Sequence, residues 1–226
     1  MSKHVLVIAA HPDDELLGVG GTLRAHVNAG DRVSALILGQ GALSRDGARN
    51  NEVTALRTAA REAAAVIGFA DITFAEFPDN AFDTVALLSL VKTVETHIEK
   101  MKPEIIYTHH EYDLNIDHRL TFQATITASR PVSPHAPRFI YTFETLSSTE
   151  WQSKNHTVFQ PNMYVDIEGV LDKKIAALSR YHSEMRPYPH SRSLEGIRIL
   201  AQYRGLEAGM KYAEAFHLVR GINHTV

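Results

Sequence analysis

The chain lacks cysteine altogether: none occurs in 226 residues. That excludes disulfides, a thiolate nucleophile and thiolate metal ligands, so any metal must sit on imidazoles and carboxylates. The 13 histidines leave room for that. An excess of one charge is missing too. The 23 Lys and Arg face 26 Asp and Glu, a formal charge of −3, whereas a dedicated nucleic-acid binder carries a basic face. No apolar run approaches the roughly 18 residues of a membrane span, so no stable membrane insertion is expected. The first apolar stretch, Val5 to Ala10, is short and runs into His11-Pro12-Asp13-Asp14-Glu15, unlike the core of a signal peptide. The cytoplasm is the expected compartment. No pattern encodes the oligomeric state, and a homo-oligomer is compatible with all of this.

What is present is a chain of which 44% is hydrophobic, long enough to bury a sizeable core. Short apolar runs alternate with longer helical patterns. Strands are predicted at Val5–Ala10, Val33–Leu38, Ile72–Phe77 and Glu104–Thr108, with helices at Leu16–Ala29, Asn51–Ile67 and Asp83–Lys100 between them. Gly30 and Gly68 stop the first two helices, and Asp83 is placed to cap the third. This alternation predicts an α/β fold, a Rossmann-like, mostly parallel sheet flanked by helices. A helix is expected after His118, continuing to about Ser129. Pro131, Pro134 and Pro137 then break the pattern. Strands at Phe139–Phe143, Met163–Ile167 and Phe216–Arg220 and helices at Val170–His182 and Leu194–Leu206 make an elaborated C-terminal third. That break is too short to separate domains, so residues 1–226 read as a single domain.

Ligands of open α/β sheets bind outside the carboxyl ends of the strands, and two polar clusters fall there. One is His11-Pro12-Asp13-Asp14-Glu15, after the first strand. The other is His109-His110-Glu111-Tyr112-Asp113-Leu114-Asn115-Ile116-Asp117-His118, after the fourth. Pro12 keeps His11 extended, and the turn into the helix can bring Asp14 to its side. Two imidazoles and a carboxylate suit Zn2+ with open positions for water. His11 and Asp14 would be ligands from one loop and His118 the third from the other. Asp13 would then serve as base for a water whose pKa the metal lowers from roughly 15.7 to about 7. Taken singly, acidic residues at a helix start are caps favoured by the dipole. The pairing of two clusters at one edge of one sheet is what points to a site.

Ala10-His11-Pro12-Asp13-Asp14-Glu15 resembles the signature of the LmbE-like, or PIG-L, family of zinc-dependent N-deacetylases. The cluster with Asp113, Asn115, Asp117 and His118 resembles that family's second metal motif. The likeness covers the first 130 residues well and the rest loosely. It implies a hydrolase that removes acetyl groups from amino sugars or their conjugates, with His11, Asp14 and His118 holding zinc and Asp13 as general base. Many relatives carry His where this chain has Asn115. Asparagine can donate to an oxyanion but cannot deliver a proton, so His110, His190 or protonated Asp13 is left for the acid role. Asp117 would orient a neighbouring side chain.

Other signals are weaker. Gly18-Val19-Gly20-Gly21 is not a dinucleotide loop, because Asp13, Asp14 and Glu15 would face the phosphate. Small residues that let a helix approach the sheet explain it better. Arg45 or Arg49, Asn80, and His190 and Arg192 in Pro187-Tyr-Pro-His-Ser-Arg192 are candidates for substrate contact, a small N-acylated amino sugar being the expected partner. Trp151 could stack on a sugar ring or sit in the core. Two other classes compete: a non-haem iron oxygenase, since two His and a carboxylate also make a facial triad, and a non-catalytic metal- or sugar-binding module.

Overall fold

A computed structural model describes residues 2–42, 50–155 and 157–223. The strands are β1 (His4–Ala9), β2 (Arg32–Gly39), β3 (Asp71–Phe77), β4 (Ile105–His109), β5 (Phe139–Phe143), β6 (Met163–Asp166) and β7 (Ala213–Gly221). The helices are α1 (Asp14–Asn28), α2 (Asn50–Ile67), α3 (Leu87–Met101), α4 (Ile116–Ala128), α5 (Leu171–Leu178) and α6 (Leu194–Ala208). One seven-stranded sheet runs β3-β2-β1-β4-β5-β7-β6. The first five strands in that order are parallel; β7 is antiparallel to both β5 and β6.

The unbroken apolar run of β1 follows from its central place, since a strand covered on both faces needs no polar alternation. Val5 and Val7 pack with α1, α2 and residues of α5 and α6. Leu6 and Ile8 point the other way, into a second core with Leu90, Val94 and Ala124 of α3 and α4. Gly18 lies in α1 where an added Cβ would overlap the Phe143 ring of β5. The glycines thus serve close packing, as the sequence suggests. A buried ion pair ties the C-terminal third to α1. Glu214 of β7 accepts from Gly21 N at 2.9 Å and Thr22 N at 2.7 Å, while Lys174 Nζ donates to Glu214 at 2.6 Å and to Leu17 O at 2.8 Å.

Some boundaries differ from the sequence expectation, for physical reasons. Asp83 does not cap α3. It lies in a short 3-10 turn, Phe82–Thr84, whose Phe82 is fully buried, and α3 begins at Leu87. His118 falls inside the first turn of α4 instead of before it, because Asn115 is the cap. The fifth helix stops at Leu178, well short of His182. Among the described residues no helix is long and apolar enough to cross a membrane.

Candidate metal centre and pocket

The strand order reverses between β1 and β4, and the loops that follow these two neighbours form the crevice in which open α/β sheets hold ligands. The chain turns from β1 into α1 through Asp13, whose φ of 107° and ψ of −30° are rare for an L residue. Such a conformation costs about 1–3 kcal/mol and persists only where the surroundings enforce it. Here the Asp13 carbonyl accepts from Leu16 N and Leu17 N at 3.0 and 2.9 Å, and its N–H donates to Glu15 at 3.0 Å.

That turn places Asp14 between two imidazoles. His11 Nδ1 is 3.4 Å and His118 Nε2 3.2 Å from Asp14 Oδ2. One donor atom from each of the three lies within 4.8 Å of the others. The second nitrogen of each ring faces a carboxylate: His11 Nε2 is 2.9 Å from Asp117 Oδ2, and His118 Nδ1 is 3.0 Å from Asp113 Oδ1. Carboxylates in those positions fix the tautomer so that the inner nitrogens present lone pairs. Asp14 Oδ1 is buried with no hydrogen-bond partner among the described residues, a costly state for a carboxylate oxygen. A divalent cation would relieve it, and the His-Asp-His set fits one. A second grouping, His11 with Asp79 and Asp117, shares the other nitrogen of His11.

The charges agree with a cation site. Burial opposes ionisation throughout, yet hydrogen bonds to Asp117 and Asp14 raise the His11 pKa to about 10. The Asp14 charge and the hydrogen bond to Asp113 raise His118 to about 9. Burial likewise works against the Asp14 carboxylate, but the His118 charge and the hydrogen bonds with His11 and His118 hold it well below the usual range. Protons therefore gather where a metal would displace them. His109 is different. It stacks on His118 at 3.9 Å between centroids, and its Nε2 accepts from Ala10 N at 2.9 Å, which spends the lone pair. Burial and the His118 charge lower it to about 3, so it stays neutral.

Asp13 is 2% exposed, and its Oδ2 takes a hydrogen bond from Arg192 Nη1 at 2.9 Å. Burial pushes its carboxyl well above the usual range, Arg192 pulls it back, and Asp14, Glu184 and Glu15 push it up again. An open pocket of about 380 Å³ lies over these groups, lined among others by His11, Asp13, Asp79, Asn80, Asn115 and Arg192. Asn115 Oδ1 accepts from Asp117 N at 2.8 Å, and its Nδ2 donates to Asn80 Oδ1 at 2.9 Å.

The structure thus brings together His11, Asp13, Asp14, Asn80, Asn115, His118 and Arg192. It does not bring in His110, whose ring packs edge-on against Tyr112 and Phe159 and lines neighbouring cavities instead. Successive strand residues point to opposite faces, so at the end of β4 only His109 turns towards His118. His190 lies behind Arg192, accepting its backbone N–H at 3.1 Å and packing against Trp151, which is exposed. Arg45 and Arg49 lie outside the described residues. Sequence reasoning passed over Asp113 as an orienting group and over Glu184 in the pocket wall. Asp79, beside Asn80 after Pro78 at the carboxyl end of β3, joins the same wall. Glu184 had no signal in the sequence, because only the fold carries it there.

Comparison with known proteins gives concordant results. The sequence profile of the family described as PIG-L: GlcNAc-PI de-N-acetylase matches residues 6–129. The diacetylchitobiose deacetylase of Thermococcus kodakarensis is 28% identical over 243 residues, covering 97% of this chain and 84% of that protein. Among solved structures, the N,N'-diacetylchitobiose deacetylase from Pyrococcus horikoshii, complexed with its inhibitor MPG, superposes with a TM-score of 0.80 at 21% identity, covering 100% of this chain and 86% of that one. The 4-carboxy-2-hydroxymuconate hydratase from Pseudomonas putida superposes with a TM-score of 0.76, also at 21% identity, covering 99% of each chain. These two likenesses establish the fold, and the second shows that the fold serves more than one reaction.

Proposed function

The chain belongs to the PIG-L family, and from that premise we propose that it is a metal-dependent amide hydrolase removing an N-acetyl group from an amino sugar or amino-sugar conjugate. The observation that carries this reading is the buried, partnerless Asp14 Oδ1 between His11 and His118, with a second carboxylate, Asp13, at the same pocket. We read residues 1–226 as one domain devoted to it.

His11, Asp14 and His118 would hold the ion, with zinc the favoured metal for two imidazoles and a carboxylate. Bound there, zinc supplies a Lewis acid that polarises the acyl carbonyl and makes a water acidic. The residues do the rest. Asp13 takes a proton from the attacking water through the oxygen that Arg192 leaves available, and returns it to the departing nitrogen. Water and amide are thereby converted to acetate and a free amine. The Asn115 amide, at the pocket wall, can leave Asn80 and donate to the oxyanion. Asn80 and Asp79, in the pocket lining, would meet sugar hydroxyls, and His190 would support that wall from behind Arg192.

A panel of N-acetylated sugars, free and conjugated, tests the reaction class. The expected result is acetate and primary amine released in equal amounts, abolished by chelation and restored by zinc. Turnover that survives complete removal of metal would overturn the proposal.

A further inference from the structure

Of the contacts that Asp13 makes among the described residues, only the hydrogen bond from Arg192 acts on its carboxylate; the other hydrogen bonds hold its backbone. Arg192 comes from the segment between α5 and α6, 179 positions away in the chain. The guanidinium is itself fixed. Nε donates to Ser147 Oγ at 2.6 Å, and Nη1 reaches Glu184 Oε2 at 3.5 Å as well as Asp13. Its backbone N–H is held by His190 Nδ1, and its carbonyl accepts from Arg186 N at 3.2 Å. The Arg192 side chain is 21% exposed, with the Asp13 and Glu184 side chains at 3% and 5%. An arginine that recruits a substrate anion keeps its donors for the ligand. This one spends Nε and Nη1 on protein oxygens, two of which belong to buried carboxylates.

We infer that Arg192 is a positioning residue for Asp13. It fixes Oδ2, so that Oδ1 alone takes the proton and is aimed by a planar fork that lysine cannot reproduce. Ser147 and Glu184 set the fork, and through it the C-terminal third controls the base supplied by the β1–α1 turn. The inference rests on the reaction proposed above.

The test is steady-state kinetics of zinc-loaded Arg192→Ala and Arg192→Lys on the best substrate of the acetylated-sugar panel, with zinc content measured in the same samples. A base mis-aimed by about 1 Å can lose on the order of 100-fold in rate. The expected result is a loss of that order in kcat with KM nearly unchanged and zinc retained. Added guanidinium should restore part of the rate to the Ala variant and none to the Lys variant. In an Asp13→Asn background, Arg192→Ala should cost nothing further, because the two act as a unit. A raised KM with kcat retained would make Arg192 a substrate contact and overturn the inference. So would equal losses in both backgrounds without rescue. If the wild-type enzyme releases no acetate from any panel member, the proposed reaction fails instead. Thermal denaturation of the same double-mutant cycle then decides the clamp alone: coupling between Arg192 and Asp13 upholds it, and additive effects overturn it.

Discussion

Asp113 sits behind His118 and does not itself line the pocket, yet its replacement should be felt at the metal. Its Oδ1 accepts from His118 Nδ1 at 3.0 Å, from Asn115 N at 2.9 Å and from Ser148 Oγ; its Oδ2 accepts from Thr149 Oγ1 at 2.5 Å. Burial would raise its pKa, but the hydrogen bond and charge of His118 and the two hydroxyls hold it well below the usual carboxylate range. Asp113→Ala would strand buried donors at about 1–3 kcal/mol each, so it tests folding more than binding. Asp113→Asn is the sharper probe. It keeps an oxygen for His118 and removes the charge that makes the imidazole a strong ligand. Loss of such a partner typically weakens metal binding about 10–100-fold, or roughly 1.4–2.7 kcal/mol. Zinc affinity measured against a competing chelator, with a melting curve to show that the variant is folded, should report that drop. Asp117→Asn should do the same through His11, whose Nε2 is 2.9 Å from Asp117. Folded Asp113→Asn and Asp117→Asn proteins that bind zinc as tightly as wild type would refute the orienting role.

Other expectations concern the frame and its pH response. Gly18→Ala drives a methyl into the Phe143 ring and should cost about 1–3 kcal/mol in urea unfolding, partly recovered by Phe143→Leu. No recovery would mean that the ring is not the obstacle. Glu214→Gln leaves Lys174 buried beside a neutral partner and should destabilise by about 3–5 kcal/mol, the usual result of breaking a buried pair; a change below ~1 kcal/mol would contradict it. His4 is held neutral, its pKa lowered by burial and the Arg32 charge against a raising bond to Met101 O. Because the folded pKa is the lower one, its contribution is complete above the unfolded value near 6.5 and falls away as pH drops through the folded value. Between the unfolded value and the lower folded one, stability should therefore decline less steeply with falling pH in His4→Gln than in wild type, and parallel curves would exclude His4 as a source.

Much of the frame is legible because parallel strands buried on both faces are written as plain apolar runs. Val5–Ala10, Val33–Leu38 and Phe139–Phe143 agree with the structure to within a residue or so. What those runs leave out is neighbourhood. Hydrophobicity says that a strand is covered, not which strand lies beside it, so the insertion of antiparallel β7 between β5 and β6 could not be read. The same limit governs the site. His11, Asp14 and His118 stand in two short motifs at the carboxyl ends of two strands of one sheet, and the structure makes those strands neighbours and brings the residues together. Two adjacent histidines, by contrast, look equivalent in sequence. The pleat then sends His109 towards His118 and His110 away. Glu184 and Arg192 arrive from a loop with no periodic signal of its own, positioned by packing between distant elements.

The most direct measurement compares wild type with Asp13→Asn, determining zinc per chain and acetate release on the same samples. The account predicts equal zinc in both proteins, with release in the wild type and a loss of at least about 100-fold in the variant, the low end for a missing general base. Turnover by Asp13→Asn at the wild-type rate, with zinc bound in both, would contradict it.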